Sequence, residues 1–395
     1  MTNEEYIAQH RSDDVRQLAL RRVPDGVDAK WCLQQIEGWQ LAVRKLPHWA
    51  QTEGLWYPPR ISMEQCSSEA TAVYKSQIIE RLVPSASGRA AMADLTGGFG
   101  VDFSYLAPAF AKARYFERQK ELCRIANHNF ALLDLADAEV VGADSADGSS
   151  WSDRDYTLIY VDPARRDGVG RKTVAIEDCV PDVTAMQHRL LSHAHFVMLK
   201  LSPMLDIRMA LRKLSNVREV HVIAVRGECK ELLLVMSAES APLQIFCVNL
   251  ETQDPPVLLN AEEAWRQRAN LCDEMGLFLY EPSASLLKGA VQDAVAAQRG
   301  LLKLRRDSNL FTGSGLCADF PGRIFRVEAQ CGFGKQELRQ MLSGMEQANL
   351  TVRNFPVSVA DLRKRLKLRE GGSVYLFATT MADGSHILVR CSKVK

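Results

Sequence analysis

The spacing of apolar and polar positions changes twice along this chain. Over the first ~80 residues it is helical. Val15-Arg16-Gln17-Leu18-Ala19-Leu20 makes one amphipathic turn set, and Trp31, Ile36, Trp39 and Val43 place an apolar face on a helix over 31–46. Pro47 ends that helix, and Tyr57-Pro58-Pro59 reads as an extended link. A third helix covers 69–83 and leads to the flexible stretch 84–88. From 91 to about 240, short apolar runs alternate with helical ones. Strands are expected at 91–94, 113–117, 139–144, 156–161, 196–201, 219–225 and 231–236, with an extra strand at 243–250 and a linker at 253–256.

The remainder reads as two small units. The first, 278–311, is a strand, a helix over 284–298 and the apolar stretch 301–310. The second opens at Phe320-Pro321-Gly322-Arg323 and runs strand, helix (335–348), strand, helix (359–367), Gly371-Gly372 turn, then strands at 374–379 and 386–391.

The first strand carries the clearest chemical signal. Asp94-Leu95-Thr96-Gly97-Gly98-Phe99-Gly100 is a strand end, a glycine-rich turn and a helix start, the entrance to a βαβ unit that binds a nucleotide-like ligand. The spacing G-x-G-x-x-G of dinucleotide sites is absent. Instead, three later strands also end in acids: Glu117, Asp144 and Asp162. Glu117 stands where a carboxylate accepts ribose hydroxyls, and Asp144 where one accepts an adenine amine. This arrangement favours S-adenosylmethionine (SAM) over a dinucleotide.

These residues resemble motifs I to IV of the class I SAM-dependent methyltransferases. More specifically, the chain resembles a bacterial family of such enzymes that carries a C-terminal THUMP-like domain. Matching phrases extend along nearly the whole chain: Tyr57-Pro58-Pro59, Glu64-Gln65-Cys66-Ser67-Ser68-Glu69, Asp162-Pro163-Ala164-Arg165-Arg166-Asp167, Lys200-Leu201-Ser202-Pro203-Met204, Glu228-Cys229-Lys230-Glu231-Leu232, Phe320-Pro321-Gly322-Arg323 and Leu368-Arg369-Glu370-Gly371-Gly372. The resemblance implies an α/β fold with a seven-stranded Rossmann-like sheet whose last pair is antiparallel. It also implies a helical N-terminal region (1–85), a methyltransferase domain (86–250), a ferredoxin-like α/β unit (251–319) and a THUMP-like domain (320–395).

The expected cofactor is SAM. Thr96, Gly97, Gly98 and Gly100 would wrap its methionine part, with Asp94 and Asp102 near the amino group, Glu117 on the ribose and Asp144 on the adenine. Asp162, Pro163 and Arg165 form the expected catalytic tip. It departs from the [D/N]-P-P-[aromatic] motif of exocyclic-amine methyltransferases, because Ala164 replaces the second proline and Arg165 the stacking aromatic. Arg165 also resembles the D-P-P-R form of uracil C5 enzymes. Those need a cysteine after the next strand, where this chain has Leu201-Ser202-Pro203, so pyrimidine C5 chemistry is disfavoured.

Charge adds a partner. The net charge of +1 hides an excess of about six acids over 91–320 and about seven bases over 321–395. The dense run Arg363-Lys364-Arg365-Leu366-Lys367 reads either as a solvated helix face or, with the THUMP-like resemblance, as an RNA contact. Arg165, Arg166, Arg171 and Lys172 form a basic loop that would either hold phosphate or pair with nearby acids such as Asp167, Glu177 and Asp178. Lys200 would touch substrate or phosphate, or else snorkel at a sheet edge. Glu64 to Ala70 reads as a helix cap by Ser67 or Ser68, or as a flap over the ligand.

Composition sets the remaining limits. Hydrophobic content of 47% and charged content of 25% describe a soluble globular chain of two or three domains. No signal pattern or membrane-length apolar run is visible. Ten cysteines contain no C-x-x-C pair, and His193 and His195 lack a third ligand, so no metal site is expected and a cytoplasmic setting follows. The function expected is methylation of an RNA base nitrogen. The alternatives are a protein or small-molecule methyltransferase, or an RNA-binding adaptor whose SAM site is not catalytic.

Overall fold

The computed structural model describes residues 1–146, 148–165 and 175–394, with Arg165 described in its backbone only. Two compact units divide the chain, Met1–Arg218 with Leu233–Ser240, and Glu219–Leu232 with Ala241–Lys395.

The first unit opens with α1 (Asn3–His10), α2 (Val15–Leu18), α3 (Ala29–Lys45), α4 (Pro47–Gln51), α5 (Arg60–Gln65) and α6 (Glu69–Leu82). Side chains of Thr2, Asp14, Asp28 and Ser68 cap four of these by accepting backbone N–H bonds of the first turn. Pro47 ends α3 as expected and also starts α4, where a missing N–H costs nothing. Asn129, fully buried on α8 (Lys120–Leu132), fastens the 51–59 segment: its Oδ1 accepts the Trp56 N–H at 2.8 Å and its Nδ2 donates to the Trp56 carbonyl at 2.9 Å.

The strands that follow are β1 (Ala91–Asp94), β2 (Lys112–Phe116), β3 (Glu139–Val141), β4 (Tyr156–Val161), the short pair β5 (Ala164–Arg165) and β6 (Cys179–Val180), β7 (Ala194–Leu201), β8 (Val217–Val225), β9 (Glu228–Met236), β10 (Gln244–Leu250) and β11 (Val257–Asn260). β1, β2, β3, β4 and β7 pair in parallel. Every residue of β4 is buried, which is why it reads as an unbroken apolar run. The helices between them are α7 (Val101–Leu106), α8, α9 (Val183–His193) and α10 (Ile207–Lys213).

The hydrogen-bonded order is β11-β10-β8-β9-β7-β4-β1-β2-β3. This corrects the expected count from seven strands to nine. β10 adds to β8 in parallel, and β11 returns antiparallel to β10. Pro255-Pro256 lies in the connection between these two, not at the end of the sheet. β11 is only four residues long and too short to register as an alternating run. Arg226 and Gly227, both at positive φ, make the tight turn between β8 and β9, which sets them antiparallel. The chain leaves β1 to one side for β2, while β4 lies on its other side. Such a switch point opens a crevice at the carboxyl ends of the strands.

The second unit, which also holds most of β8, the start of β9, and β10 and β11, continues with α11 (Ala261–Arg266), β12 (Phe278–Pro282), α12 (Ala284–Gly289), α13 (Gln292–Gln298), β13 (Leu302–Lys303), β14 (Phe311–Gly313), β15 (Gly322–Cys331), α14 (Lys335–Met341), β16 (Asn349–Val352), α15 (Val359–Leu366), β17 (Val374–Thr380) and β18 (His386–Lys393). Its sheet runs β13-β14-β12-β15-β18-β17-β16, so both small units share one sheet through the β12–β15 pairing. The single helix expected over 284–298 is two, broken at Ala290 with φ +54°. The helix expected over 335–348 stops at Met341, ahead of Gly344 at φ +75°. Buried Glu281 on β12 takes the guanidinium of Arg323 from the neighbouring β15 and that of Arg353, one residue past the end of β16.

Replacing Asn129 with Ala should cost about 1–3 kcal/mol in urea unfolding, because it leaves two backbone groups of Trp56 without their partner. A smaller change would mean that the 51–59 segment is held by packing alone.

Candidate functional site at the switch point

A cavity of about 230 Å³ lies at the carboxyl ends of β1 to β4. It brings together, from segments far apart in sequence, Asp94, Thr96, Gly97, Gly98, Gly100, Asp102, Glu117, Asp144, Asp162 and Lys200.

The glycine-rich turn is shaped by an aromatic floor. A Cβ on residue 97 would fall 2.3 Å from the Tyr115 ring, and one on residue 100 would fall 2.9 Å from Phe130. Gly98 and Gly100 also hold φ of +60° and +83°, which side chains disfavour. The Tyr115 hydroxyl donates to the Gly98 carbonyl at 2.5 Å, so the ring that excludes side chains also pins the turn.

Glu117 is oriented by the same turn. One carboxylate oxygen accepts the Gly98 N–H at 2.9 Å and the other the Gln119 N–H at 2.7 Å. A carboxylate has about four acceptor positions, so these two bonds fix its direction without exhausting it. Asp144 stands exposed at the rim and accepts the Ala146 N–H. Asp94 is buried and accepts from the Thr96 N–H and hydroxyl at 2.9 and 3.3 Å. Burial pushes its carboxyl up to about 8, with the charges of Asp102 and Asp162 adding to the rise against the Thr96 hydrogen bonds. Thr96 Oγ1 also accepts the Asp162 N–H at 2.6 Å, linking the tips of β1 and β4.

Asp102 occupies a different environment from Asp94. Lys75, fully buried on α6, donates to its Oδ1 at 2.8 Å, and Ser67 and Tyr160 donate to its Oδ2, each at 2.7 Å. Burial alone would raise this carboxyl, but the Lys75 and Lys200 ammoniums and the hydrogen bonds from Lys75 and Ser67 hold it at about 2. Lys200 lies 3.9 Å from Asp102 and 2.5 Å from Asp162. Charges of alternating sign thus run Lys75, Asp102, Lys200, Asp162 from the interior to the cavity wall.

Lys200 is not at a sheet edge. β7 lies inside the sheet between β9 and β4, which removes the snorkelling reading. In the Glu64 to Ala70 segment the capping reading holds, and part of the segment also lines the cavity. Ser68 caps α6, while Gln65, Cys66 and Ser67 wall the cavity. Pro163 is buried and Ala164 lines the cavity in its place. Arg165 has its backbone in β5, while Arg166, Asp167, Arg171 and Lys172 lie outside the described residues.

In the second unit Arg363, Lys364 and Lys367 line one depression with Arg369, while Arg365 instead covers the Phe333 ring. His193 pairs with Asp155, and among the described residues no group of three or more metal-ligating side chains comes together. None of their helices is long and apolar enough to cross a membrane.

Lys75 and Tyr160 escaped the sequence reading, and Ser67 entered it only as a candidate cap or part of a flap. A signal existed for Lys75: it falls in phase with Thr71, Ala72, Ile78 and Ile79 on the buried face of α6, and a lysine there needs an internal partner.

Sheet order and cavity define an α/β protein with a cavity at a topological switch point. Comparison with known proteins narrows that class. Residues 322–393 match the THUMP domain-like family and residues 278–321 a ferredoxin-like domain family. The solved structure of a candidate methyltransferase from Porphyromonas gingivalis W83 is 33% identical, with a TM-score of 0.86 over 100% of this chain and 98% of that one. The chain belongs to the family of that protein, in which a methyltransferase fold precedes ferredoxin-like and THUMP-like domains.

More distant likenesses include a candidate rRNA methylase from Clostridium thermocellum (11% identity, TM-score 0.32, 42% of this chain and 95% of that one). A SAM-dependent methyltransferase from Agrobacterium tumefaciens is similar at 17% identity and TM-score 0.33, over 42% of this chain and 62% of that one. At that level neither bears on function. A comparison with curated proteins found no match.

Lys75→Met should destabilise the protein by about 3–5 kcal/mol in denaturant titration, since it strands the Asp102 charge in the interior. Adding Asp102→Asn to that variant should recover most of the loss. If the single variant is close to wild type, the pair is not buried as described.

Proposed function

We propose that the protein is a SAM-dependent methyltransferase that acts on RNA, at a base nitrogen. The observation that carries this reading is the convergence of the glycine turn, Asp94, Glu117, Asp144 and Asp162 around one cavity. The residues present fit the cofactor. The turn offers glycine backbone seated on the Tyr115 and Phe130 rings, Glu117 aims an oriented carboxylate at a ribose position, and Asp144 sits at the rim for an adenine amine. Bound there, SAM would supply an activated methyl group on a sulfonium, which requires alignment of the acceptor more than acid–base chemistry.

The chain's own residues would then divide the work. Thr96 and the three glycines hold the methionine end. Asp94, kept neutral by burial while the site is empty, ionises beside the cofactor's ammonium. Asp102, already saturated by Lys75, Ser67 and Tyr160, acts less on that ammonium than on Lys200. Asp162 orients the acceptor, and Lys200 holds its carboxylate in place.

Two observations support a base nitrogen over a cationic protein side chain. Lys75 and Lys200 offset Asp102 and Asp162, so the tip carries little net charge to attract an ammonium. Arg363, Lys364, Lys367 and Arg369 gather on one face of the THUMP-like domain, where they suit a phosphate backbone.

Calorimetry should detect SAM binding, and Glu117→Ala should weaken it. No binding, or no effect of that substitution, removes the assignment. The pH dependence follows from Asp94. Below about pH 8 its carboxyl is protonated in the empty site, so pairing with an ammonium releases a proton, and affinity should rise by up to about tenfold per pH unit from 6 toward 8. Above 8 the rise should stop, and Asp94→Asn should abolish it. Mass spectrometry of modified nucleosides with and without the gene tests the RNA half. A methyl group found only on protein would overturn it.

A further inference from the structure

The N-terminal helices of the first unit enclose a second cavity, of about 640 Å³, away from the glycine turn. Trp31 and Trp39 from α3, with Trp56 and Tyr57 from the extended segment, form its aromatic walls, and Arg11 and Arg124 face them. Trp31 meets Trp56 edge-on at 5.4 Å, and Trp56 stacks on His128 at 3.8 Å. The Arg124 guanidinium lies over Trp56 at 4.7 Å and over Trp31 at 5.7 Å, and Arg11 lies over Trp39 at 4.7 Å. Flat guanidinium and indole surfaces of this kind accept another flat ring by stacking.

Tyr57 is held there with unusual care. Its N–H donates to Gln35 Oε1 at 2.7 Å, and its carbonyl accepts from Gln35 and Gln34 at 3.0 and 2.8 Å. Residue 38 must be glycine to admit it, since a Cβ there would lie 2.2 Å from the Tyr57 Cβ. The residue is only 3% exposed, yet its hydroxyl has no hydrogen-bond partner. Arg11 and Glu53, both cavity walls, are the charges nearest in effect to that hydroxyl, and burial keeps it neutral. Arg11 repeats the pattern. Its terminal nitrogens donate to Glu53, while its buried Nε has no partner. A buried hydroxyl without a partner destabilises a fold, and phenylalanine would fill the same space without that penalty.

We propose that this cavity is a second ligand site, and that its ligand is a nucleobase stacked against the indole and guanidinium surfaces. Arg11 Nε can only donate and the Tyr57 hydroxyl can donate or accept, so a fitting ligand brings at least one acceptor, as the carbonyl and ring-nitrogen edge of a base does. Glu4, Asp28 and Glu53 on the walls exclude a buried phosphate, so the base enters and the sugar-phosphate stays outside. The base belongs either to a free mononucleotide or to a single-stranded RNA segment. The inference does not depend on methyl transfer.

Tryptophan fluorescence of the full-length protein, titrated with UMP, AMP and single-stranded octamers of U and of A, tests it. Saturable quenching is expected. Tyr57→Phe should weaken it at least tenfold while raising the melting temperature of the ligand-free protein, and Arg124→Ala should weaken it as well. Equal affinity for mononucleotide and octamer would identify a free nucleotide as the ligand, and binding of octamers alone an RNA segment; both support a base site. Absence of quenching by every probe, or unchanged affinity in both variants, overturns the proposal. So does a lower melting temperature in Tyr57→Phe, which would mean that the hydroxyl has a partner within the chain.

Discussion

The buried pair of Lys75 and Asp102 is the interaction on which the cavity depends. Lys75 is fully buried and Asp102 nearly so, and each is tolerable only while the other is in place. Lys75 comes from α6 and Asp102 from the first turn of α7, directly after the glycine turn. The pair therefore fixes the helical region against the βαβ entrance. Ser67 and Tyr160 complete the same carboxylate, which brings in the segment before α6 and the strand β4. One carboxylate thus sets the positions of four segments around the cavity.

Much of this arrangement could be read in the amino-acid sequence. Strand-end acids follow from the pleat and the length of each apolar run, and four of them at successive strand ends leave few alternatives. Lys75 could not be found in that way, because its role depends on which face of α6 turns inward and on what waits there. The same limit explains the strand count. β10 was visible as an apolar run, but its parallel pairing with β8 and the return of β11 are long-range facts that no local pattern encodes. The broken helix at Ala290 had a local signal in Gly289. There a Cβ would come within 2.9 Å of the Cys247 sulfur, so close packing against β10 explains the glycine.

Asp94 and Asp102 show how neighbouring carboxylates acquire opposite characters. Asp94 receives only the Thr96 N–H and hydroxyl and is pushed up by burial. Asp102 receives an ammonium, two hydroxyls and the field of a second ammonium and is pushed down. The sequence shows two acids eight positions apart and gives no means to tell them apart. Their partners decide: Thr96 in the glycine turn for Asp94, and for Asp102 residues of α6, the segment before it, β4 and β7. The neutral Asp94 is the one able to change its charge with occupancy, whereas Asp102 keeps its charge throughout the ordinary pH range.

The tip at Asp162 follows from the same chain of charges. In a motif with a second proline and an aromatic, the acceptor would be gripped from above by stacking. Here Ala164 and Arg165 stand in place of those two residues, and Asp162 is braced from the side by Lys200, which Asp102 steadies at 3.9 Å. A carboxylate held by an ammonium keeps a fixed direction, so it can accept a hydrogen bond from an amine. Such a tip orients an acceptor but does not select one by shape. On the proposed function, selection of the substrate would fall to surfaces outside the cavity, and the basic face of the THUMP-like domain has the charge for a phosphate backbone.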